Sequence, residues 1–142
     1  MKSRNLIALA ALLAANIIGT ASVFGDAIAN LPNEKTDGAI SYLSGGVGAD
    51  EITAMKQEQS KYPLTMEFVE HAKPKDELLA NVAVTIKNND GKVMLQTMSD
   101  GPYLFAKVPD GMYVITAEIR GTPQSRVVNV AAQKSEHVLF EW

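Results

Sequence analysis

The residues best suited to acid–base or metal chemistry in this sequence are two histidines, His71 and His137. Neither belongs to a His-x-His or His-Glu-x-x-His spacing, and a zinc site usually draws on three or more protein ligands. The chain contains no cysteine, which excludes thiol catalysis, zinc–thiolate sites, disulfides and lipid attachment at a cysteine. We therefore expect no metal site, no cofactor and no catalytic residue.

Three further motifs invite a chemical interpretation, but their spacing argues against it. Ser99, Ser125 and Ser135 lie near predicted turns and outside any Gly-x-Ser-x-Gly elbow, so they do not indicate a serine hydrolase. The glycine-rich run 44–48 lacks the Gly-Lys-Ser/Thr of a phosphate loop, and we interpret it as the entry to a helix capped by Asp50. Residues 88–90 offer too few carboxylates for calcium and suit a hairpin turn instead.

Four residues are candidates for contact with a partner. Ile52 and Met55 form a narrow apolar stripe on a helix predicted from about residue 50 to 61, which packs on the rest of the domain or on another protein. Pro63 indicates a strand start or an edge strand. Trp142 either holds down the last strand or, if exposed, anchors a ligand or partner. Ile52, Met55, Pro63 and Trp142 are therefore the predicted interaction surface.

The segments that position these residues alternate apolar and polar side chains, as half-buried strands do. Leu64, Met66 and Phe68 share one face of the first such segment, which begins near residue 62. Six more follow up to residue 142, separated by turn-forming sequences such as residues 88–91. Short strands at this regular spacing predict a mainly β fold, a seven-stranded Greek-key β-sandwich with one short surface helix.

The stretch 100–117 carries the most characteristic pattern in the chain. Gly101 and Gly111 each follow an aspartate, and Asp-Gly readily accepts the positive φ angles of tight turns. The stretch therefore predicts two strands joined in a hairpin by a Pro-Asp-Gly turn. It resembles the carboxypeptidase regulatory-like, or prealbumin-like, β-sandwich family, whose glycine, alternating aromatics and apolar-Pro-x-Gly-x-Tyr hairpin are matched by Gly101, Tyr103, Phe105, Val108, Pro109, Gly111, Tyr113 and Ile115.

Residues 42–51 are similar to a segment of small exported bacterial proteins that carry such a domain. The resemblance implies a prealbumin-like sandwich and no established activity, since it concerns an accessory domain and not a metallocarboxypeptidase. The prealbumin fold also includes a 5-hydroxyisourate hydrolase, built from histidines and an arginine and ending in Tyr-Arg-Gly-Ser. The chain has two histidines and ends in Leu-Phe-Glu-Trp, which argues against that enzyme.

The first 29 residues have the three parts of a secretory signal: a basic start at Lys2 and Arg4, an apolar run, and small residues before a cleavage point after Ala21 or Ala29. An uncleaved membrane anchor is the alternative interpretation. We therefore expect a periplasmic or secreted protein, in which any membrane contact comes through an uncleaved signal.

The expected organisation is a signal peptide over residues 1–29, a polar leader with a short helix over 30–61, and a β-sandwich domain over 62–142. Loss of Lys2 and Arg4 changes the net charge from −3 to −5, or to −4 if Asp26 is also removed. A negative chain is a poor partner for nucleic acid or an anionic membrane.

The sequence as a whole predicts a non-catalytic exported β-sandwich that serves as an interaction or accessory module for an unknown protein partner or glycan. A carbohydrate or small-molecule binding protein is the alternative, and a prealbumin-type hydrolase is the third hypothesis.

Overall fold

A computed structural model of the protein describes residues 30–142, in which ten strands form two sheets with one α-helix outside them. The predicted signal peptide lies outside the described residues. The strands are β1 (Lys35–Asp37), β2 (Ile40–Gly45), β3 (Leu64–Glu70), β4 (Glu77–Leu78), β5 (Ala83–Asn88), β6 (Val93–Met98), β7 (Tyr103–Lys107), β8 (Gly111–Ile119), β9 (Thr122–Val130) and β10 (Glu136–Glu141). The helix α1 (Ala49–Glu58) continues into a 3-10 turn, Gln59–Lys61.

The six-stranded sheet has the order β1-β2-β7-β3-β10, with the short β4 pairing to the end of β3, and the four-stranded sheet has the order β6-β5-β8-β9. Apolar side chains from the inner faces of both sheets form the main core, including Phe68, Ile86, Leu95, Ile115 and Phe140. The prediction of a mainly β sandwich with one short helix is confirmed. All seven strands expected after residue 62 are present, and β4 adds an eighth, two-residue strand.

The segment predicted as a polar leader contributes two strands to the six-stranded sheet. β2 pairs with β7 along five residues and buries Ile40, Tyr42 and Leu43. Ile40 and Tyr42 alternate with Ser41, but Leu43 directly follows Tyr42, and so short a pattern indicates no more than one short strand. The boundary predicted at residue 62 stays a prediction, but the sheet begins well before it.

The predicted hairpin within residues 100–117 is wrong in one respect. β7 pairs with β2 and β3, whereas β8 pairs with β5 and β9, so the Pro109–Gly111 turn carries the chain from one sheet to the other. The hydroxyl of Tyr113 donates a hydrogen bond of 2.6 Å to the carbonyl of Pro109, a Tyr-to-backbone bond like those at the corners of β-sandwiches. Alternation predicts a strand but carries no information about its neighbour.

Helix α1 covers part of the outer face of the six-stranded sheet. Leu43 from β2 and Tyr103 and Phe105 from β7 point outward from that sheet and form a second, smaller core with Met55 and Tyr62. Tyr103 and Phe105 were expected in a half-buried strand, but β7 is buried on both faces because the helix lies over it.

The start of the helix differs from the sequence prediction as well. Gly48, with a positive φ of 88°, is the N-cap residue and Asp50 makes no capping hydrogen bond. The Glu51 carboxylate instead accepts a hydrogen bond of 2.7 Å from the backbone N–H of Gly46, which holds the glycine-rich loop against the first turn. In a capping box the glutamate at the third helical position bonds to the N–H of the N-cap residue, whereas Glu51 reaches further back, to N–H groups that precede Gly48.

Candidate functional site

Three of the four residues predicted to form the interaction surface have structural roles. Met55 is 0 % exposed and Ile52 packs on the same cluster, so the apolar stripe of the helix faces the sheet and not a partner. Pro63 immediately precedes β3, which lies between β7 and β10 in the interior of the six-stranded sheet. Of the two meanings given to Pro63, the strand start is correct and the edge strand is wrong. Met55 is not accessible for docking, and Ile52 is partly buried against the same cluster.

Trp142 follows β10 and is partly buried. Its indole Nε1 donates a hydrogen bond of 3.0 Å to the carbonyl of Thr122 in β9, and its backbone N–H donates one of 3.0 Å to the carbonyl of Val69. The ring stacks on Phe140, with centroids 6.1 Å apart and planes at 22°. Trp142 therefore ties the end of the six-stranded sheet to the four-stranded one, and it also lines a groove of about 390 Å³ at this end of the sandwich.

The two histidines lie in separate networks on the surface of the six-stranded sheet. His137 Nδ1 is 3.0 Å from the Thr65 hydroxyl and its Nε2 is 3.5 Å from a Glu67 carboxylate oxygen. This order of hydroxyl, imidazole and carboxylate resembles an activated nucleophile, but Thr65 is fully buried and offers its oxygen to no substrate. A hydrogen bond with the Asp76 carboxylate, together with nearby Glu141, raises the pKa of His71.

No arginine joins either histidine in an ion-pair network in the described part of the chain, where Arg120 pairs with Glu70 instead. Within residues 30–142 there is also no group of three or more metal-ligating side chains. None of the helices described is long and apolar enough to cross a bilayer.

The outer face of the four-stranded sheet carries an exposed apolar surface that the sequence analysis missed. Val93, Lys87, Val114 and Val127 are paired in register from β6 through β5 and β8 to β9, and so form one row across all four strands. Met112 neighbours the row. The exposed fractions are 66 % for Val127, 44 % for Val93, 43 % for Met112 and 37 % for Val114. We call this set the valine face: Lys87, Val93, Met112, Val114 and Val127.

A depression of about 220 Å³ opens on the valine face between Lys87, Met112, Val114 and Val127, beside the loop between β5 and β6. Lys87 is exposed and makes no ion pair among the described residues. The outer face of an antiparallel sheet is ordinarily polar, and contiguous exposed apolar side chains indicate a contact surface. The valine face therefore combines an apolar depression with an unpaired positive charge.

Part of the valine face could be predicted from the sequence. Met112 and Val114 alternate in phase with Thr116 and Glu118, polar residues that are typical of the solvent side of a half-buried strand. The outward orientation of Val93 could not be predicted from the sequence, because a bulge opposite residues 86–87 changes the phase of β6 and turns Val93 outward. Met94 packs against the main core as a result.

Comparison with known proteins identifies no family. No known family pattern matches the sequence, and no curated protein matches it either. Among solved structures, the chain is similar to the Bacillus anthracis TIE protein, with 16 % identity and a TM-score of 0.43 over 56 % of this chain and 16 % of that one. It is also similar to BcpA*(D312A), the major pilin subunit of Bacillus cereus, with 13 % identity and a TM-score of 0.40 over 54 % of this chain and 29 % of that one. The chain thus spans less than a third of the length of either structure.

Proposed function

We propose that the protein is an exported, non-catalytic interaction module that binds a partner protein through the valine face. The observation that carries the proposal is a row of exposed side chains across all four strands in which three of the four are valines, where a solvent-facing sheet ordinarily carries polar residues. Export rests on the predicted signal peptide. The absence of catalysis rests on the spacing of the two histidines and on the burial of Thr65 beside His137.

The other surfaces weighed in the sequence analysis are less suited to docking. The apolar side of α1 is occupied by the sheet. β9 is a nine-residue edge strand, but Pro123 lies in it, and Arg126 projects to the inner side, where its guanidinium lies 5.3 Å from the Phe140 ring centroid. Proline and inward-facing charge are devices that oppose the pairing of a further strand. At the opposite edge, Asp37 accepts a hydrogen bond of 3.1 Å from the backbone N–H of Gln96 in β6.

The chemistry of the valine face defines the partner. The depression suits one apolar side chain, and Lys87 in the centre of the row suits a carboxylate beside it. Burying the Lys87 ammonium without a counter-charge would be costly, so an uncharged apolar surface would be a poorer fit. The partner is therefore expected to present an apolar residue next to an aspartate or glutamate.

The size of the face predicts a transient complex. The whole outer face of the sheet, with four strands about 4.8 Å apart and six to nine residues in each, has an area of roughly 400–550 Å², and the valine face is only part of it. Stable complexes bury about 800 Å² per partner, so we expect dissociation constants nearer micromolar than nanomolar. A second copy of the chain would bring Lys87 close to its own equivalent, which opposes self-association through this face.

Photo-crosslinking in the producing cell tests the proposal. A benzoylphenylalanine replaces Val127 on the valine face or, as a matched control, Leu139, which is 40 % exposed on the outer face of the six-stranded sheet. We expect one dominant adduct from position 127 that is absent from position 139. Mass spectrometry of that adduct should place the crosslink beside an acidic residue of the partner, and Lys87→Glu in the same chain should reduce its yield.

Two outcomes would overturn the proposal. Equal adducts from positions 127 and 139 would show that the valine face has no preference. An adduct formed solely between two copies of the chain would make the face a self-association surface and contradict the acidic partner.

A further inference from the structure

We infer that the groove beside Trp142 binds a neutral carbohydrate, an activity separate from protein docking on the valine face. The groove has a volume of about 390 Å³ and lies at the open end of the sandwich, between the ends of β3 and β10 in one sheet and the β8–β9 hairpin in the other. Its walls are Glu70, Ile119, Arg120, Thr122, Gln124 and Trp142.

The indole of Trp142 is held in one orientation before any ligand arrives. One face stacks on Phe140, and the Nε1–H is bonded to the Thr122 carbonyl. The backbone carbonyl of Trp142 accepts a hydrogen bond of 2.7 Å from the N–H of His71, which ties the backbone of Trp142 to the segment that follows β3. Trp142 and Ile119 both line the groove, and their apolar side chains are of the kind that the C–H face of a pyranose ring packs against.

The polar groups of the groove are arranged for hydroxyl groups and not for ions. Arg120 forms an ion pair with Glu70, so the two charges cancel at the groove wall. An anionic ligand would meet the Glu70 carboxylate, and a cationic ligand would meet the guanidinium. A sugar hydroxyl both donates and accepts, and can therefore bond to the free N–H groups of Arg120 and to the free lone pairs of Glu70 at once.

Gln124 adds a positioned amide to the same wall. Its Nε2 donates to the carbonyl of Glu141, and its Oε1 accepts a hydrogen bond of 3.2 Å from Arg126. Both ends of the side chain are thus held by the protein, so little conformational entropy is lost when a ligand binds. A volume near 390 Å³ lies at the small end of known ligand sites, which suits one or two sugar rings.

The test uses the tryptophan itself, because Trp142 is the single tryptophan of the chain. The purified protein is titrated with cellotriose, chitotriose and maltotriose while the emission of Trp142 and its quenching by acrylamide are followed. Saturation-transfer NMR on the same samples detects binding that leaves the emission unchanged. We expect at least one saccharide to protect Trp142 with a dissociation constant of about 1 mM or lower, as is reasonable for a shallow polar groove.

Glu70→Gln and Gln124→Ala should each weaken binding of that saccharide by about fivefold, since the first replaces an acceptor oxygen with an N–H donor and the second removes the amide. Val127→Asp should leave the affinity for the saccharide unchanged, which distinguishes this site from the valine face. Thermal unfolding of each variant checks that the fold is retained. The inference is overturned if none of the three saccharides binds by either method, or if Glu70→Gln and Gln124→Ala both bind as tightly as the unaltered protein.

Discussion

Gly101 lies in direct contact with the backbone of Gly45, and this contact explains why position 101 is glycine. A Cβ atom on Gly101 would lie 2.3 Å from the carbonyl oxygen of Gly45. Nearby, the Ser44 hydroxyl accepts a hydrogen bond of 2.9 Å from the N–H of Asp100 and donates one of 3.2 Å to the carbonyl of Tyr103. The two glycine motifs of the sequence therefore meet in space. The Asp-Gly pair predicts a turn with positive φ at Gly101, whereas the role of this glycine is close backbone approach.

Gly101→Ala is expected to destabilise the protein by about 2 kcal/mol or more, because the added methyl group must displace the backbone of β2. Gly91→Ala is the matched control. Gly91 has a φ of 79° but nothing lies within 4 Å of its Cβ position, so its cost is limited to the backbone, about 1 kcal/mol. Urea denaturation of both variants measures the difference. Equal losses would show that the Gly45–Gly101 contact is not tight.

Tyr103 provides a pH-dependent contribution to stability. Burial, together with the neighbouring Glu67 carboxylate, raises the pKa of Tyr103 to about 12. Since the folded pKa lies above the unfolded value near 10, the contribution is complete below pH 10 and is lost as the pH rises toward 12. Because of Tyr103, the free energy of unfolding is expected to fall by about 1 kcal/mol between pH 8 and pH 11.

Urea denaturation at both pH values should show a smaller alkaline loss in Tyr103→Phe than in the unaltered protein. The hydroxyl donates to Glu67 at 3.3 Å, so the variant will also be somewhat less stable at pH 8. Identical alkaline losses in the two proteins would contradict a buried, neutral Tyr103.

At the scale of elements, helix α1 completes the outer face of the six-stranded sheet. Tyr103 and Phe105 would be exposed aromatics without it, and Met55 is the helical side chain that fills the space above them. Met55→Ala should therefore reduce the unfolding free energy by about 3 kcal/mol, whereas Lys56→Ala on the exposed side should change it by less than about 0.5 kcal/mol. Chemical denaturation measures both. A Met55→Ala protein as stable as Lys56→Ala would mean that the helix is held elsewhere, and would restore it as a docking element.

The sequence predicted the elements better than their pairing. Alternation located the helix and seven of the eight strands that have five or more residues, all but β2, because burial of one face imposes a period that a single sequence displays. It did not reveal that β7 and β8 belong to different sheets, since both a hairpin and a crossing between sheets follow a Pro-Asp-Gly turn. The bulge in β6 could not be predicted either, because one extra residue shifts the alternation of inward and outward side chains without any change in composition.

At the scale of the whole molecule, the outer faces of the two sheets differ in whether another element covers them. The six-stranded sheet is covered in part by α1, while the four-stranded sheet has no covering element among the described residues and exposes the valine face. The sequence anticipated Trp142 as a possible contact residue, because a lone tryptophan stands out. It could not anticipate the row of Lys87, Val114 and Val127, since cross-strand neighbours come from three separate segments and meet through pairing register alone.

The most direct test of the central claim is the affinity of the purified partner, once captured at Val127, for a set of matched variants. Isothermal titration should show that Val127→Asp and Lys87→Glu each weaken binding by about tenfold or more, as expected for residues at the centre of an interface. Leu139→Asp and Lys75→Glu, which place the same changes elsewhere on the surface, should bind within about twofold of the unaltered protein. If all four variants bind alike, the valine face is not the docking surface and the account of its function is wrong.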